Sequence, residues 1–340
     1  MDIRTSSCRP RPRRCTGIFR KEEAMIVVHS TELEQMKTLG ELAERAPVIP
    51  RYLEEVDLAP LARDVRDYAG RMGYAAQFLH EFDVPHPTPI GVREQDVAPL
   101  LNGSDTELKY EHFSVVMSKS RRLAIYVACN IDGRRSQKIK RGKDRWSLDP
   151  RMDRDYQIGE ELYAGNELDR GHLVRREDPV WGLKHEAAVA NGDTFHFTNC
   201  SPQHEKFNQQ TWLGLEDYIL RNSRAHKLKV TVFTGPIFQD DDPEYRGALL
   251  PRQYWKVVAV VSDGRKSATG YMISQSELLE HLRAFGFGRY KTYQVSIDQI
   301  ERLTDLDFGP LKHYDGFTTE EARTRRAMRA EIRSWKDIRV

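Results

Sequence analysis

The chain has almost no excess charge of either sign. Among 340 residues, 53 Lys and Arg stand against 51 Asp and Glu, a net charge of +2. Global attraction to nucleic acid or to an anionic membrane is therefore not implied, and any such attraction must come from local clusters. Cysteine is scarce: Cys8, Cys15, Cys129 and Cys200 are too few and too scattered for a disulfide framework, and none forms a C-x-x-C metal pair. A reducing, cytoplasmic setting is the expectation. No run approaches the roughly 20 apolar residues that span a bilayer, so no membrane role is expected. The hydrophobic fraction is low, at 39%, but periodic apolar segments and 9% aromatics exclude wholesale disorder.

What is present divides unevenly along the chain. Residues 1–24 are a basic tail, with Arg4, Arg9, Arg11, Arg13, Arg14, Arg20 and Lys21 and no acid from residue 3 to residue 21. Pro10 and Pro12 break any helix there, so the tail is expected to be disordered, with Met25 an alternative start to Met1. Thr31-Glu32-Leu33-Glu34 fits a capping box before Leu33, Met36, Leu39 and Leu42 at helical spacing. A second helical run carries Leu61, Val65, Tyr68, Met72, Phe78, Leu79 and Phe82. Residues 25–90 are thus expected to form a small helical N-terminal module, followed by a linker over 91–109. No cluster of base or metal-ligand residues lies in that module, so two roles are expected for it: control, as a homodimer contact or a dock for an inhibitor, or completion of the core of the domain that follows.

From about residue 110 the period changes to that of strands. His112–Met117 and Leu123–Ala128 predict a hairpin, and further strands are expected at 194–198, 229–234, 255–261 and 268–272. Helices are expected at 209–222, 275–284 and 320–335. This mixture predicts an α+β domain over 110–310 with a central antiparallel sheet, and a C-terminal helix within 311–340.

One region concentrates chemistry: Asp169-Arg170-Gly171-His172, Thr198-Asn199-Cys200-Ser201-Pro202-Gln203, and Asn208-Gln209-Gln210-Thr211-Trp212 running on to Leu215-Glu216. A neutral imidazole can take a proton from water, which makes His172 a candidate general base. An asparagine oxygen is a poor ligand for zinc but acceptable for magnesium, which points to Asn208 as the metal ligand. If Asn208 starts a helix, Glu216 lies about 12 Å further along the axis and about 80° around it. Glu216 therefore reaches the ion through a bound water. Arg170 is a planar donor suited to a phosphate oxygen. His185, His196 and His204 are expected to be structural, and Trp212, Leu215 and Ile219 to form the buried helix face.

These three motifs in this order resemble the DNA/RNA non-specific endonuclease family, which includes Serratia-type nucleases and endonuclease G. Trp146-x-x-Asp149-Pro150 and Phe233-Thr-Gly-Pro236-Ile-Phe238 are similar to that family's pattern as well. The resemblance implies a ββα-metal finger holding one Mg2+, with Mn2+ an acceptable substitute. It also implies His172 as base, Arg170 on phosphate, Asn208 as direct metal ligand, Glu216 as partner of a metal-bound water, and Asn199 supporting the site. The implied activity is hydrolysis of DNA and RNA with little sequence preference. A nuclease inside a cell must be restrained, so a defence or toxin effector is one expected setting and an exported or organellar enzyme the other. The rival expectation is a silent nucleic-acid-binding or scaffold protein on the same fold. The interval between His172 and Asn199 departs from the family pattern by its length and charge.

Overall fold

A computed structural model describes residues 64–204, 211–275 and 291–332. Its backbone is an eight-stranded, wholly antiparallel sheet. In chain order the strands are β1 (Glu107–Lys109), β2 (Phe113–Met117), β3 (Ala124–Asp132), then, after an excursion, β6 (Lys229–Ile237), β7 (Gln253–Ser262), β8 (Arg265–Ser274), β9 (Lys291–Val295) and β10 (Arg329–Ile332). Their spatial order is β10-β9-β8-β7-β6-β3-β2-β1. The excursion between β3 and β6 contains β4 (Leu168–His172), α1 (Lys184–Asp193), β5 (Cys200–His204) and α2 (Thr211–His226); α3 (Ile297–Thr304) and α4 (Gly316–Thr324) follow β9.

The central strands are Val-, Ile- and aromatic-rich because both faces of the sheet are covered, so every second side chain has a core to enter on either side. Along β7, Val258 and Val260 join one cluster with Val230, Val232 and the α2 residues Leu215 and Ile219. Trp255, Val257 and Ala259 join the other, with Phe233 and the α3 residues Ile297 and Ile300.

The hairpin expected at 112–128 is β2–β3, with Val115 opposite Val127. Other expectations need correction. The helical run expected over 61–82 contains, from residue 64 onward, one 3-10 turn at Val65–Tyr68; beyond it the chain is extended or turning. Gly73 explains part of this, since its φ of +75° suits glycine and a Cβ there would lie 2.6 Å from Ser114 Oγ. The amides of Tyr74 and Ala75 donate to Ser114 Oγ and Asn130 Oδ1, at 2.8 Å each. Tertiary hydrogen bonding has overridden the helical spacing. Tyr68 packs on one face of the sheet and Tyr74, Leu79, Phe82 and Val84 on the other. Residues 91–109, expected as linker, carry Ala98, Leu100 and Leu108 into the core and include β1.

The strand expected at 194–198 is not formed. The Asn191-Gly192 pair lies inside α1, whose end turns through a 3-10 segment, Phe197–Asn199, into β5. The helix expected over 320–335 ends at Thr324, where Arg325 adopts a left-handed φ of 56°. The chain then forms β10, pairing Arg329 with Val295 and Ile332 with Thr292 at the sheet edge. The capping box at 31–34, the helix expected at 275–284 beyond residue 275, and the basic tail lie outside the described residues. Among the described residues no helix is long and apolar enough to cross a membrane.

Candidate active site

β4 and β5 form a two-stranded antiparallel hairpin with His172 opposite Cys200 and Gly171 opposite Ser201, and α2 follows in sequence. This is the ββα unit. Gly171 is required by packing: a Cβ there would lie 2.1 Å from the Gln203 side-chain oxygen, because the buried Gln203 side chain lies across it.

His172 ends β4 in an aromatic niche. Its ring centroid is 4.7 Å from that of Trp146 and 5.2 Å, edge-on, from that of Phe195. Phe195 and Phe197 in turn pack on Trp146. The Nε2 atom is shut off from solvent and has no hydrogen-bond partner. Burial pulls its pKa down to about 3; Asp144 opposes the shift, and Arg141, Arg176 and Arg175 add to it. The imidazole is therefore neutral at physiological pH, with a lone pair or proton at Nε2 unengaged by the protein.

Asn199 is fully buried, and every bond of its amide goes to backbone. Its Oδ1 accepts from Val174 N at 2.9 Å, and its Nδ2 donates to Val174 O and Thr194 O at 3.0 Å each. The Asn199 carbonyl accepts from Leu173 N at 2.9 Å. Asn199 is thus a clamp on the two residues after His172. Arg170 is half-buried, lies over the Tyr163 ring at 5.4 Å, and is paired with Glu160 through both Nε and Nη2. A phosphate would have to compete with Glu160 for it.

Glu216 is buried on α2, and its Oε1 meets Lys256 Nζ at 3.3 Å. Asn208 lies outside the described residues. Among the described residues no three His, Cys, Asp or Glu side chains gather as a metal-binding group. A self-sufficient protein cage of the zinc or calcium type is not what these residues build. Glu216 has one oxygen committed to Lys256.

Sequence reasoning missed Lys256 and Asp178. A lone lysine in the apolar run Tyr254–Val261 was the available signal for the first. Asp178 is buried near Glu216, and burial followed by the Glu216 charge pushes its pKa up to about 7, against the pull of Lys256, Arg175 and Arg224. His196 has the structural role expected of it: its Nε2 is 2.6 Å from Tyr68 Oη and its Nδ1 2.8 Å from Asp193 O. Leu215 and Ile219 are core residues, as their spacing predicts.

The long interval after His172 has a visible purpose. Its Val180, Ala187 and Ala188 enclose Ile139, and Arg176 donates to Ile139 O at 3.2 Å and to Asn191 Oδ1 at 3.0 Å. The interval therefore braces the basic loop 134–145, where Arg141 pairs with Asp144 near His172.

The family model described as DNA/RNA non-specific endonuclease matches residues 96–314, most of the chain. The chain belongs to the DNA/RNA non-specific endonuclease family. It is 45% identical over 224 residues to the uncharacterized protein y4fB of Sinorhizobium fredii strain NGR234, covering 62% of this chain and 33% of that protein. It is 28% identical over 149 residues to a nuclease of Nostoc sp. PCC 7120, covering 43% of this chain and 52% of that protein. The chain thus spans about half or less of the length of these relatives. An EndoG/EndoGI complex has a solved structure that superimposes with a TM-score of 0.47 and 19% identity over 60% of this chain and 85% of that one.

Proposed function

We propose that the protein is a divalent-metal-dependent endonuclease, using Mg2+ and accepting Mn2+, that hydrolyses phosphodiester bonds of DNA and RNA with little sequence preference. The observation that carries this reading is His172: a neutral histidine on the antiparallel strand pair of a ββα unit, with no protein hydrogen bond occupying its Nε2. In the proposed reaction a water attacks phosphorus in line and gives its proton to Nε2. The P–O3′ bond breaks, and the products are a 5′-phosphate and a 3′-hydroxyl, whose proton comes from solvent. The negative phosphodiester beside His172 raises the imidazole pKa from its low resting value, which makes it a stronger acceptor when substrate is bound. Arg170, released from Glu160, binds a phosphate oxygen and offsets charge on the pentacoordinate phosphorus. Asn208 would hold the ion directly and Glu216 through a bound water. When bound, the ion supplies positive charge to the phosphoryl and leaving oxygens.

Slight sequence preference follows from contacts that go to phosphate, which carries no base information. Arg121 is not available for such contacts, since it is buried and paired with Asp242 at 2.5 Å. The basic loop, with Arg134, Lys138, Lys140, Arg141 and Lys143, supplies the local cations that a nearly neutral chain needs. Incubating the full chain with supercoiled plasmid and with single-stranded RNA, in Mg2+ and in EDTA, tests the reading. Cleavage of both polymers in Mg2+ alone is expected; no cleavage of either in Mg2+ or Mn2+ would refute it.

A further inference from the structure

The central strand β7 reads Gln253-Tyr-Trp-Lys-Val-Val-Ala-Val-Val-Ser262, and its one cation is almost completely shut away from water. Lys256 is 1% exposed, between β6 and β8. Its alternation places it with Tyr254 and Val258 on the sheet face covered by α2. Apolar residues in place of both Lys256 and the carboxylate it meets would serve that core at least as well, because removing charges from water is costly and an internal ion pair seldom repays it, whereas removing one partner alone strands the other's charge. The natural reason for a lysine here is therefore the buried carboxylate that it faces.

Its contacts indicate what that is. Nζ lies 2.9 Å from Thr234 Oγ1, directly across the ladder on β6, and 3.3 Å from Glu216 Oε1 on α2. One contact roots the ammonium in the sheet, and the other engages the carboxylate that the proposed function assigns to a metal-bound water. Glu216 is itself only 7% exposed, and Asp178 stands close enough to feel both charges. Without Lys256, two carboxylates would share a buried space, with Arg175 and Arg224 as nearby cations.

We propose that Lys256 is a positioning residue of the nuclease site: it fixes Oε1 of Glu216 against the rigid central sheet, so that the other carboxylate oxygen is held for the water of the metal. The inference rests on the assigned role of Glu216. It explains why the anchor sits on β7, the strand paired on both sides in the middle of the sheet, and not on the finger itself. Partners of this kind behind a metal site typically change metal affinity about 10–100-fold when removed.

The test uses the full chain as Lys256→Met, Glu216→Gln and the double variant. Two quantities are read: the Mg2+ concentration giving half-maximal plasmid cleavage, and the rise in melting temperature that Mg2+ produces over EDTA. Lys256→Met is expected to raise the half-maximal Mg2+ concentration about tenfold or more and to erase most of the Mg2+-induced rise, and to melt below the wild type in EDTA because Glu216 keeps a buried charge without its partner. The double variant should be no worse than Glu216→Gln alone. If Lys256→Met responds to Mg2+ within twofold of wild type while Glu216→Gln does not, Lys256 is not a positioning residue and the Glu216 reading stands. If Glu216→Gln itself responds as wild type, the reading of Glu216 fails, and this inference with it. Should Lys256→Met not fold, Thr234→Val decides: it removes the hydroxyl that anchors Nζ. A weakened Mg2+ response supports the proposal and an unchanged one overturns it.

Discussion

His172 is held neutral by its surroundings more than by any partner, which makes its protonation directly testable. Its folded pKa, about 3, lies below the ordinary histidine value, so the folded state binds fewer protons than the unfolded chain between those limits. Stability from this group is present above about pH 6.5 and is lost as pH falls through that window toward 3. In metal-free protein, the His172 ring signals followed by NMR should stay those of neutral imidazole down to pH 5; a midpoint near 6.5 would show that the niche is open to water. Asn199 makes a different prediction. Asn199→Ala leaves Val174 N, Val174 O and Thr194 O without their buried partners. A loss of about 2–4 kcal/mol in urea unfolding is expected, together with lower cleavage activity. Wild-type stability in that variant would mean that backbone or water replaces the clamp.

At the level of elements, the segment from residue 64 to residue 84 behaves as part of the nuclease core although the family match begins at residue 96. Tyr68 reaches His196, and Arg71 pairs with the buried Asp193 at 2.7 Å, so two side chains of this segment secure the turn that carries Phe195 against His172. Tyr74, Leu79, Phe82 and Val84 cover the opposite face of the sheet. A chain beginning at residue 85 is expected to aggregate or to lose most of its cooperative melting transition, as judged by calorimetry; a soluble protein with wild-type melting would contradict this packing. The sequence showed these residues as apolar at helical spacing, and their burial was legible while their conformation was not. The hydrogen bonds that straighten the segment come from Ser114 and Asn130, distant in sequence, and no local pattern announces them. The β2–β3 hairpin was readable because two largely apolar runs, buried along their whole length, flank a short polar turn. β10 was not, because Arg329–Ile332 is a sheet-edge strand whose alternation is too short to outweigh a helix-like charge pattern. His172, Arg170 and Glu216 were legible as motif residues, whereas Glu160 beside Arg170 and Lys256 behind Glu216 are joined to them only by the fold.

For the whole molecule, a net charge of +2 means that affinity for nucleic acid depends on the distribution of its cations. The basic loop 134–145, braced by α1, carries the cations that lead in sequence into Trp146, whose ring packs on His172. Exchanging Lys138, Lys140 and Lys143 together for Gln should raise KM for plasmid about tenfold or more at low salt and flatten the salt dependence of cleavage, with kcat little changed. An unchanged salt dependence would place the substrate track elsewhere. The central claim is that His172 performs the chemistry, and one measurement addresses it most directly: single-turnover cleavage of plasmid in Mg2+ by wild type and His172→Ala, with both proteins matched for melting temperature. A general base contributes about 10²–10⁴ in rate, so the variant should fall by that factor while keeping its fold; cleavage by His172→Ala at the wild-type rate would contradict the account.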